Sequence, residues 1–305
     1  MSEHNHSTHD HSGHNHHHGD EDNLVMAFVI NSAFVVIEII GGILTNSSAI
    51  LSDSVHDFGD SLSIGLAIIL QKKSNKKSDS NFSYGYGGLK LVASLFSSTI
   101  ILLGSLYILI ESIMKLNNPS EVKPAGMLGL ACLGLLFNGY AMIKSSKGKS
   151  LISQVTSLHF LEDTLGWLAV LVGSLFILLF NWTWLDPVMA IMIAVYSLYN
   201  ASKLLIKTGK VMIQSVPENV NLEAIGQTLK STNLVENFHD LHVWSIDGEK
   251  NILTVHLVIP KELSISQIND LKNQVKSKLK DLNIDHATIE VESNNSSCDM
   301  IECSV

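Results

Sequence analysis

Two copies of one short motif, His-x-x-x-Asp, lie in apolar stretches of the chain, at His56 and Asp60 and again at His159 and Asp163. Residues four apart share one face of an α-helix, with Cβ atoms roughly 5–6 Å apart, so each copy can present an imidazole and a carboxylate to one ion. Two imidazoles and two carboxylates suit tetrahedral Zn²⁺, with metal–ligand distances of about 2.0–2.2 Å. We therefore expect the two copies to meet around one metal ion. The alternative is two unrelated polar patches between packed helices, which the duplication of the motif disfavours.

The helices that hold these motifs are expected to lie in a membrane. Of the 305 residues, 46% are hydrophobic and 16% charged, and the mean hydropathy of +0.25 is too apolar for an ordinary soluble domain of this length. A helical crossing takes roughly 20 residues. Six segments meet that length, at 24–44, 49–70, 89–113, 125–143, 151–179 and 184–206. Ionisable side chains are energetically costly in lipid, so those found there are candidates for a function. Glu38 and Asp53 are therefore further candidates, as residues that line the path of the ion.

The lysines predict how the six segments are oriented, because the cytoplasmic flanks of short loops concentrate them. Eleven lysines fall on one side of the membrane: Lys72, Lys73, Lys76, Lys77, Lys90, Lys144, Lys147, Lys149, Lys203, Lys207 and Lys210. The other side has only Lys115 and Lys123. Both termini are therefore expected in the cytosol. This topology divides the chain into an N-terminal tail (1–23), a six-helix membrane domain (24–210) and a cytosolic domain (211–305).

Charge and composition exclude several classes of protein. A formal charge of −9 argues against a nucleic-acid binder, which needs a clustered positive surface. Three cysteines are too few for a disulfide framework. The His-Glu-x-x-His motif of a membrane metalloenzyme is absent from the sequence. The sequence thus favours a protein that moves or senses metal ions over an enzyme.

The C-terminal region has the pattern of a small α+β domain. Hydrophobic periodicity predicts a helix at 222–231, strands at 238–246 and 251–259, a helix at 265–282 and a strand at 287–292. This order resembles a metallochaperone, with a ferredoxin-like arrangement of two helices and three strands. The predicted fold is therefore a membrane all-α domain of six transmembrane helices, followed by a cytosolic α+β domain.

The motif pair and several other stretches resemble the cation diffusion facilitator family, in particular its zinc-transporting branch. The resemblance rests on paired His-x-x-x-Asp in the second and fifth spans and on EIIGG at 38–42, NSSAILSD at 46–53, FSYGYG at 82–87 and HDLHVWS at 239–245. It implies that His56, Asp60, His159 and Asp163 bind a transported divalent metal, which is expelled in exchange for protons. It also implies a homodimer that forms through the cytosolic domain.

Two positions depart from the family pattern. Gly88 stands where related sequences usually have a basic residue. The loop at 71–81 is rich in lysine and lacks the ligands of a loop metal site present in some relatives. We therefore expect no metal in that loop.

Residues of the cytosolic domain resemble a second set of metal ligands in the same family. The resemblance implies zinc binding by His239, His256, His286, Glu292, Cys298 and Cys303. Imidazole and thiolate are zinc ligands, and cytosolic thiols are reduced and available. The alternative is that these residues are solvated strand positions followed by a disordered end. His242 and Trp244 are expected on the strand face opposite His239, as packing or dimer-contact residues.

The N-terminal tail contains eight histidines among polar residues, at His4, His6, His9, His11, His14, His16, His17 and His18. Such a segment cannot form an apolar core, so the tail is expected to be disordered. Irregular spacing argues against an affinity tag. Several imidazoles on a flexible chain can hold zinc weakly, which predicts metal capture at the cytosolic entrance.

The function predicted from the sequence is export of Zn²⁺, with Cd²⁺ and Co²⁺ as further candidates, in exchange for protons by alternating access. Metal ligation needs neutral His and ionised Asp, so arriving protons displace the ion. The alternatives are a zinc-sensing membrane scaffold and a zinc carrier without proton coupling. The expected partners are a second copy of the chain, membrane lipid, divalent metal ions and protons. A multi-pass protein of a bacterial cytoplasmic membrane is expected.

Overall fold

Six long helices form the apolar part of the chain in the computed structural model, which describes residues 17–74, 78–117, 121–146, 151–260 and 262–293. The six helices are α1 (His17–Thr45), α2 (Ser48–Ser74), α3 (Leu89–Asn117), α4 (Pro124–Ser146), α5 (Leu151–Phe180) and α6 (Leu185–Met212). Helix α1 begins at His17, so the end of the tail that we expected to be disordered is helical. The earlier part of the tail, with His4, His6, His9, His11, His14 and His16, lies outside the described residues.

Five of these helices are long and apolar enough to cross a membrane, judged by length and composition of the described residues. The qualifying stretches are Phe28–Thr45, Leu89–Asn117, Pro124–Ile143, Phe160–Phe180 and Leu185–Met212. Helix α2 is not among them. It carries Asp53, Asp57 and Asp60, and these three carboxylates raise its charge and lower its hydropathy. This more polar helix thus carries two of the four candidate ligands, His56 and Asp60.

The chain forms two compact units. The first contains Met1–Ile69 and Ile108–Ile193, and the second contains Leu70–Tyr107 and Ala194–Val305. In the first unit, Phe34 stacks on Phe137 with ring centroids 4.8 Å apart and meets Trp167 edge-on. A Cβ placed on Gly134 would overlap the Trp167 ring, so glycine at this position lets α4 pack against α5.

The cytosolic part of the second unit has the predicted order of helices and strands. Its elements are α7 (Leu222–Lys230), β1 (Asn237–Ser245), β2 (Asn251–Ile259), α8 (Ile265–Lys280) and β3 (His286–Ser293). The sheet order is β1-β2-β3, with β1 antiparallel and β3 parallel to β2. The Asn221 side chain caps α7, and Ser264 and Gln267 form a capping box at the start of α8.

One face of this sheet holds the core of the cytosolic domain. Alternate β2 side chains, Leu253, Val255, Leu257 and Ile259, are buried in a cluster that includes α7 and α8 residues. The intervening positions, such as Thr254 and His256, are only partly buried. The face opposite the helices is therefore open to carry polar side chains.

Candidate metal centres

The first candidate centre lies in the first unit, where α2 meets α5. His56 Nε2 lies 3.8 Å from Asp60 Oδ2, as the spacing of four residues predicts. Ligand atoms of His56, Asp57 and Asp163 lie within 4.8 Å of one another. The structure thus brings residues of both motif copies together. His159 lies on α5, four residues before Asp163, and its side chain is outside the described part of the chain.

The structure adds Asp57, which directly follows His56 in the sequence, to this group. Asp57 is 5% exposed. It also belongs to a second group, because ligand atoms of Glu38, Asp53 and Asp57 lie within 4.8 Å of one another. The sequence contains an indication of this second group, because Asp53 and Asp57 are also four residues apart and therefore share a helical face. Asp57 therefore joins the two groups.

Another acidic residue, Asp186, fixes the start of α2 instead of facing the ligands. Its carboxylate accepts hydrogen bonds from Ser47 Oγ at 2.5 Å, from the Ser48 amide at 2.7 Å and from the Ala49 amide at 3.3 Å. The side chain is 1% exposed. A negative group at a helix N-terminus satisfies free N–H donors and complements the helix dipole. Asp186 of α6 thus holds in place the helix that carries His56.

Replacing Asp186 with Ala should lower the stability of the protein. The substitution leaves buried N–H groups without an acceptor, which costs about 1–3 kcal/mol for each such group. We expect a lower thermal unfolding midpoint in detergent for Asp186→Ala. Asp186→Asn keeps one acceptor oxygen, so its loss should be smaller. An Asp186→Ala variant with the same thermal unfolding midpoint as the wild type would contradict the capping role.

The second candidate centre lies on the open face of the cytosolic sheet. Glu292 Oε1 lies 2.8 Å from His256 Nδ1, and Glu292 Oε2 lies 3.3 Å from His239 Nε2. The two imidazole ring centroids are 5.1 Å apart. The side chains of all three residues are 12–16% exposed. They are therefore largely shielded from bulk water but remain accessible. Two nitrogen donors and one carboxylate form a donor set that fits a zinc ion.

Two further acidic residues approach His256. Asp240 Oδ2 lies 3.6 Å from His256 Nε2, and Glu290 Oε2 lies 3.4 Å from the same nitrogen. Neither residue was predicted from the sequence as a metal ligand. Glu290 could have been found, because residues two apart on a strand share a face and Glu292 was a candidate. Asp240 could not have been found in this way, because it directly follows His239 and a regular strand would place it on the opposite face.

A β-bulge in β1 explains the position of Asp240. The pairing register shifts between His239, opposite His256, and His242, opposite Thr254, so three residues of β1 span two of β2. Asp240 has a positive φ of 51°, a conformation that aspartate tolerates better than most residues. The extra residue returns His242 and Trp244 to the face of His239. Our expectation that they face the other way is therefore wrong, since it assumed a regular strand.

The remaining cytosolic candidates lie apart from this group or outside the described residues. His286 pairs with Ile252 at the start of β3, six positions before Glu292, which corresponds to about 20 Å along a strand. The structure thus does not bring His286 to the other ligands within the chain. Cys298 and Cys303 lie outside the described residues.

Two family profiles cover most of the chain. The cation efflux transmembrane domain matches residues 24–213, and the cytoplasmic domain of cation efflux proteins matches residues 217–294. The cadmium, cobalt and zinc/H(+)-K(+) antiporter of Bacillus subtilis is 32% identical over 276 residues, with 88% of each chain covered. The metal cation efflux system protein CzcD of Cupriavidus metallidurans is 29% identical, covering 90% of this chain and 87% of its own. The zinc transporter ZitB of Escherichia coli is 28% identical, with 90% of each covered.

Proposed function

Because the chain belongs to the cation efflux family, we propose that it exports Zn²⁺ from the cytosol in exchange for protons, with His56, Asp60, His159 and Asp163 as ligands. The protein is a multi-pass membrane transporter with a cytoplasmic C-terminal domain, and it is not an enzyme. Relatives with names that specify cadmium, cobalt and zinc make Cd²⁺ and Co²⁺ further substrates to test.

One observation carries this proposal: groups from two different helices converge on one point. His56 and Asp57 of α2 and Asp163 of α5 place ligand atoms within 4.8 Å of one another, and Asp60 lies 3.8 Å from His56. Nitrogen and carboxylate donors together favour zinc over the harder ions that prefer all-oxygen sites. Uptake of zinc into proteoliposomes, followed with a zinc-sensitive dye in the lumen, tests the proposal directly and separates a carrier from a sensing scaffold.

The same ligands explain how zinc flow can be coupled to protons. Zinc binds neutral imidazole and ionised carboxylate, so its binding displaces protons and protons displace zinc. If the site opens alternately to the two sides of the membrane, zinc leaves outward as protons enter. Asp186 contributes by holding the N-terminal end of α2, since its hydrogen bonds position the helix that carries two of the ligands.

For the cytosolic domain, we propose a zinc ion bound by His239, His256 and Glu292. The carboxylate of Glu292 already approaches one nitrogen of each imidazole. His239 Nδ1 is buried without a hydrogen-bond partner among the described residues, so this ring can turn toward an ion without losing a bond at that nitrogen. Cys298 and Cys303 remain candidates for the fourth ligand. A homodimer formed through this domain is part of the same proposal.

His239→Ala should weaken zinc binding to the cytosolic domain more than His286→Ala. Loss of an outer-shell partner alone lowers metal affinity by about 10- to 100-fold, and His239 is proposed as a direct ligand. His286 lies at the far end of β3 and should change affinity little. Zinc titration of the full-length variants, with bound metal counted by mass analysis, compares them. Equal loss in both variants would contradict the three-residue site.

Deletion of residues 1–22 should weaken transport only at low zinc. We propose that the histidines of the tail raise the local zinc concentration at the cytosolic entrance, since imidazole nitrogen is a zinc ligand. The truncated protein should have a higher apparent KM and an unchanged maximal rate in the proteoliposome assay. An unchanged KM would refute the capture role.

A further inference from the structure

Asp57 is a buried carboxylate at the proposed zinc site that the four proposed ligands do not include. Its side chain is 5% exposed. Buried charges in proteins are usually paired or coordinate metals. None of the ion pairs between described residues includes Asp57. A bound metal ion would supply the positive charge that this carboxylate lacks.

The distances allow Asp57 to contact the same ion as His56 and Asp163. Ligand atoms of these three residues lie within 4.8 Å of one another, and metal–ligand distances are about 2.0–2.6 Å. An ion between the three atoms therefore reaches all of them after small side-chain movements. Among the described residues, the group with His56 and Asp163 contains neither Glu38 nor Asp53. Asp57 is thus the member of the second acidic group that reaches the proposed zinc ligands.

The two copies of the His-x-x-x-Asp motif differ at this position. Asp57 directly follows His56, whereas Phe160 directly follows His159. The additional carboxylate therefore comes from α2 alone and is not part of the pattern that predicts a tetrahedral site. Together with the four proposed ligands, it makes a donor set of two imidazoles and three carboxylates.

We infer that Asp57 is a fifth ligand of the transported ion and that it sets the selectivity of the site, by admitting divalent ions that take five or six ligands. Four donors complete the tetrahedral shell of Zn²⁺. Mn²⁺ prefers octahedral sites rich in carboxylate oxygen, and one carboxylate can supply two ligand atoms. Asp57 therefore contributes more to the binding of Mn²⁺ than to that of zinc. The inference rests on the proposed export, because it concerns the choice of ion at the same site.

The test compares uptake of Mn²⁺ and of Zn²⁺ into proteoliposomes with an acidic lumen, in separate assays at equal metal concentration. The wild type should take up both ions. Asp57→Asn keeps the shape of the side chain and removes its charge. It should lower the ratio of the Mn²⁺ rate to the Zn²⁺ rate by at least about tenfold, because even loss of an outer-shell partner lowers metal affinity 10- to 100-fold. A purely structural role would lower both rates and leave their ratio unchanged.

Glu162→Gln is the matched control for this variant. Glu162 precedes Asp163 on α5, and its side chain is exposed. The substitution also replaces one carboxylate with an amide, but away from the ion. The control should keep the wild-type ratio of Mn²⁺ to Zn²⁺ uptake.

Co²⁺ absorption gives a second readout that does not depend on transport. Tetrahedral Co²⁺ absorbs visible light much more strongly than Co²⁺ with five or six ligands. The full-length protein is measured with His239→Ala, which disrupts the proposed cytosolic site. Absorption of Co²⁺ should be weak when Asp57 is present and strong in Asp57→Asn.

Failure of this inference and failure of the proposed export have different signatures. A wild type that transports zinc but excludes Mn²⁺ would overturn the role of Asp57. An unchanged uptake ratio in Asp57→Asn, or a strong tetrahedral Co²⁺ spectrum with Asp57 present, would also overturn it, and the spectrum needs no substitution at Asp57. If the wild type takes up neither ion, the proposed export fails first.

Discussion

Asp163→Ala is expected to lower zinc uptake into proteoliposomes by more than about 100-fold, because even outer-shell changes cost 10- to 100-fold in metal affinity and Asp163 is a proposed ligand. Among the described side chains of α5, Asp163 is the one that supplies a ligand atom to the group with His56 and Asp57. Alanine removes the oxygen that joins the two helices through the ion. Both the dye-based uptake rate and zinc binding to the purified protein should fall.

Glu162 offers a matched control for this variant. It precedes Asp163 on the same helix, and its side chain is exposed, so Glu162→Ala removes one carboxylate without touching the site. This control should transport zinc at the wild-type rate. Thermal unfolding of both variants shows whether the fold is intact. Wild-type uptake by a folded Asp163→Ala protein would exclude the proposed ligand set.

The pairing within each motif copy could be anticipated from sequence because helix periodicity is rigid, and the duplication of the motif predicted that α2 and α5 meet. A spacing of four residues places His56 and Asp60 side by side in any helix, and the structure gives 3.8 Å between their side chains. The cytosolic domain was predictable for a similar reason. Its strands alternate buried and partly buried residues, as Leu253 to Ile259 show, and this alternation is visible in the sequence.

Other features depend on contacts that no local pattern encodes. The cap on α2 comes from Asp186, which lies 139 residues after Ser47, and only the packing of α6 brings it there. The bulge at Asp240 reverses the face of His242, yet alternation rules assume one residue per step. Glu38 joins Asp53 and Asp57 because α1 packs against α2, a contact that helical spacing within one segment cannot predict.

Acidification of the lumen should produce the other large effect, an accumulation of zinc against its own gradient. In proteoliposomes with the cytosolic face outward and choline as the only other cation, lumenal protons compete for the proposed ligands and release zinc inside. One pH unit corresponds to about 1.4 kcal/mol for each exchanged proton. At zero voltage, a lumen two units more acidic should therefore hold zinc at about 100 times the external concentration for one proton per zinc, and about 10,000 times for two.

The dependence of the zinc ratio on the pH difference distinguishes proton-coupled exchange from zinc transport without proton coupling. A plot of the logarithm of the zinc ratio against the pH difference should be linear, with a slope equal to the number of protons per zinc. Reversal of the gradient should reverse the direction of zinc movement, because the same imidazole and carboxylate groups meet protons from the other side. A zinc ratio that stays at one for every pH difference, with uptake still dependent on Asp163, would identify a carrier without proton coupling. The ligand set would then stand, but the exchange that we infer from its acid–base chemistry would not.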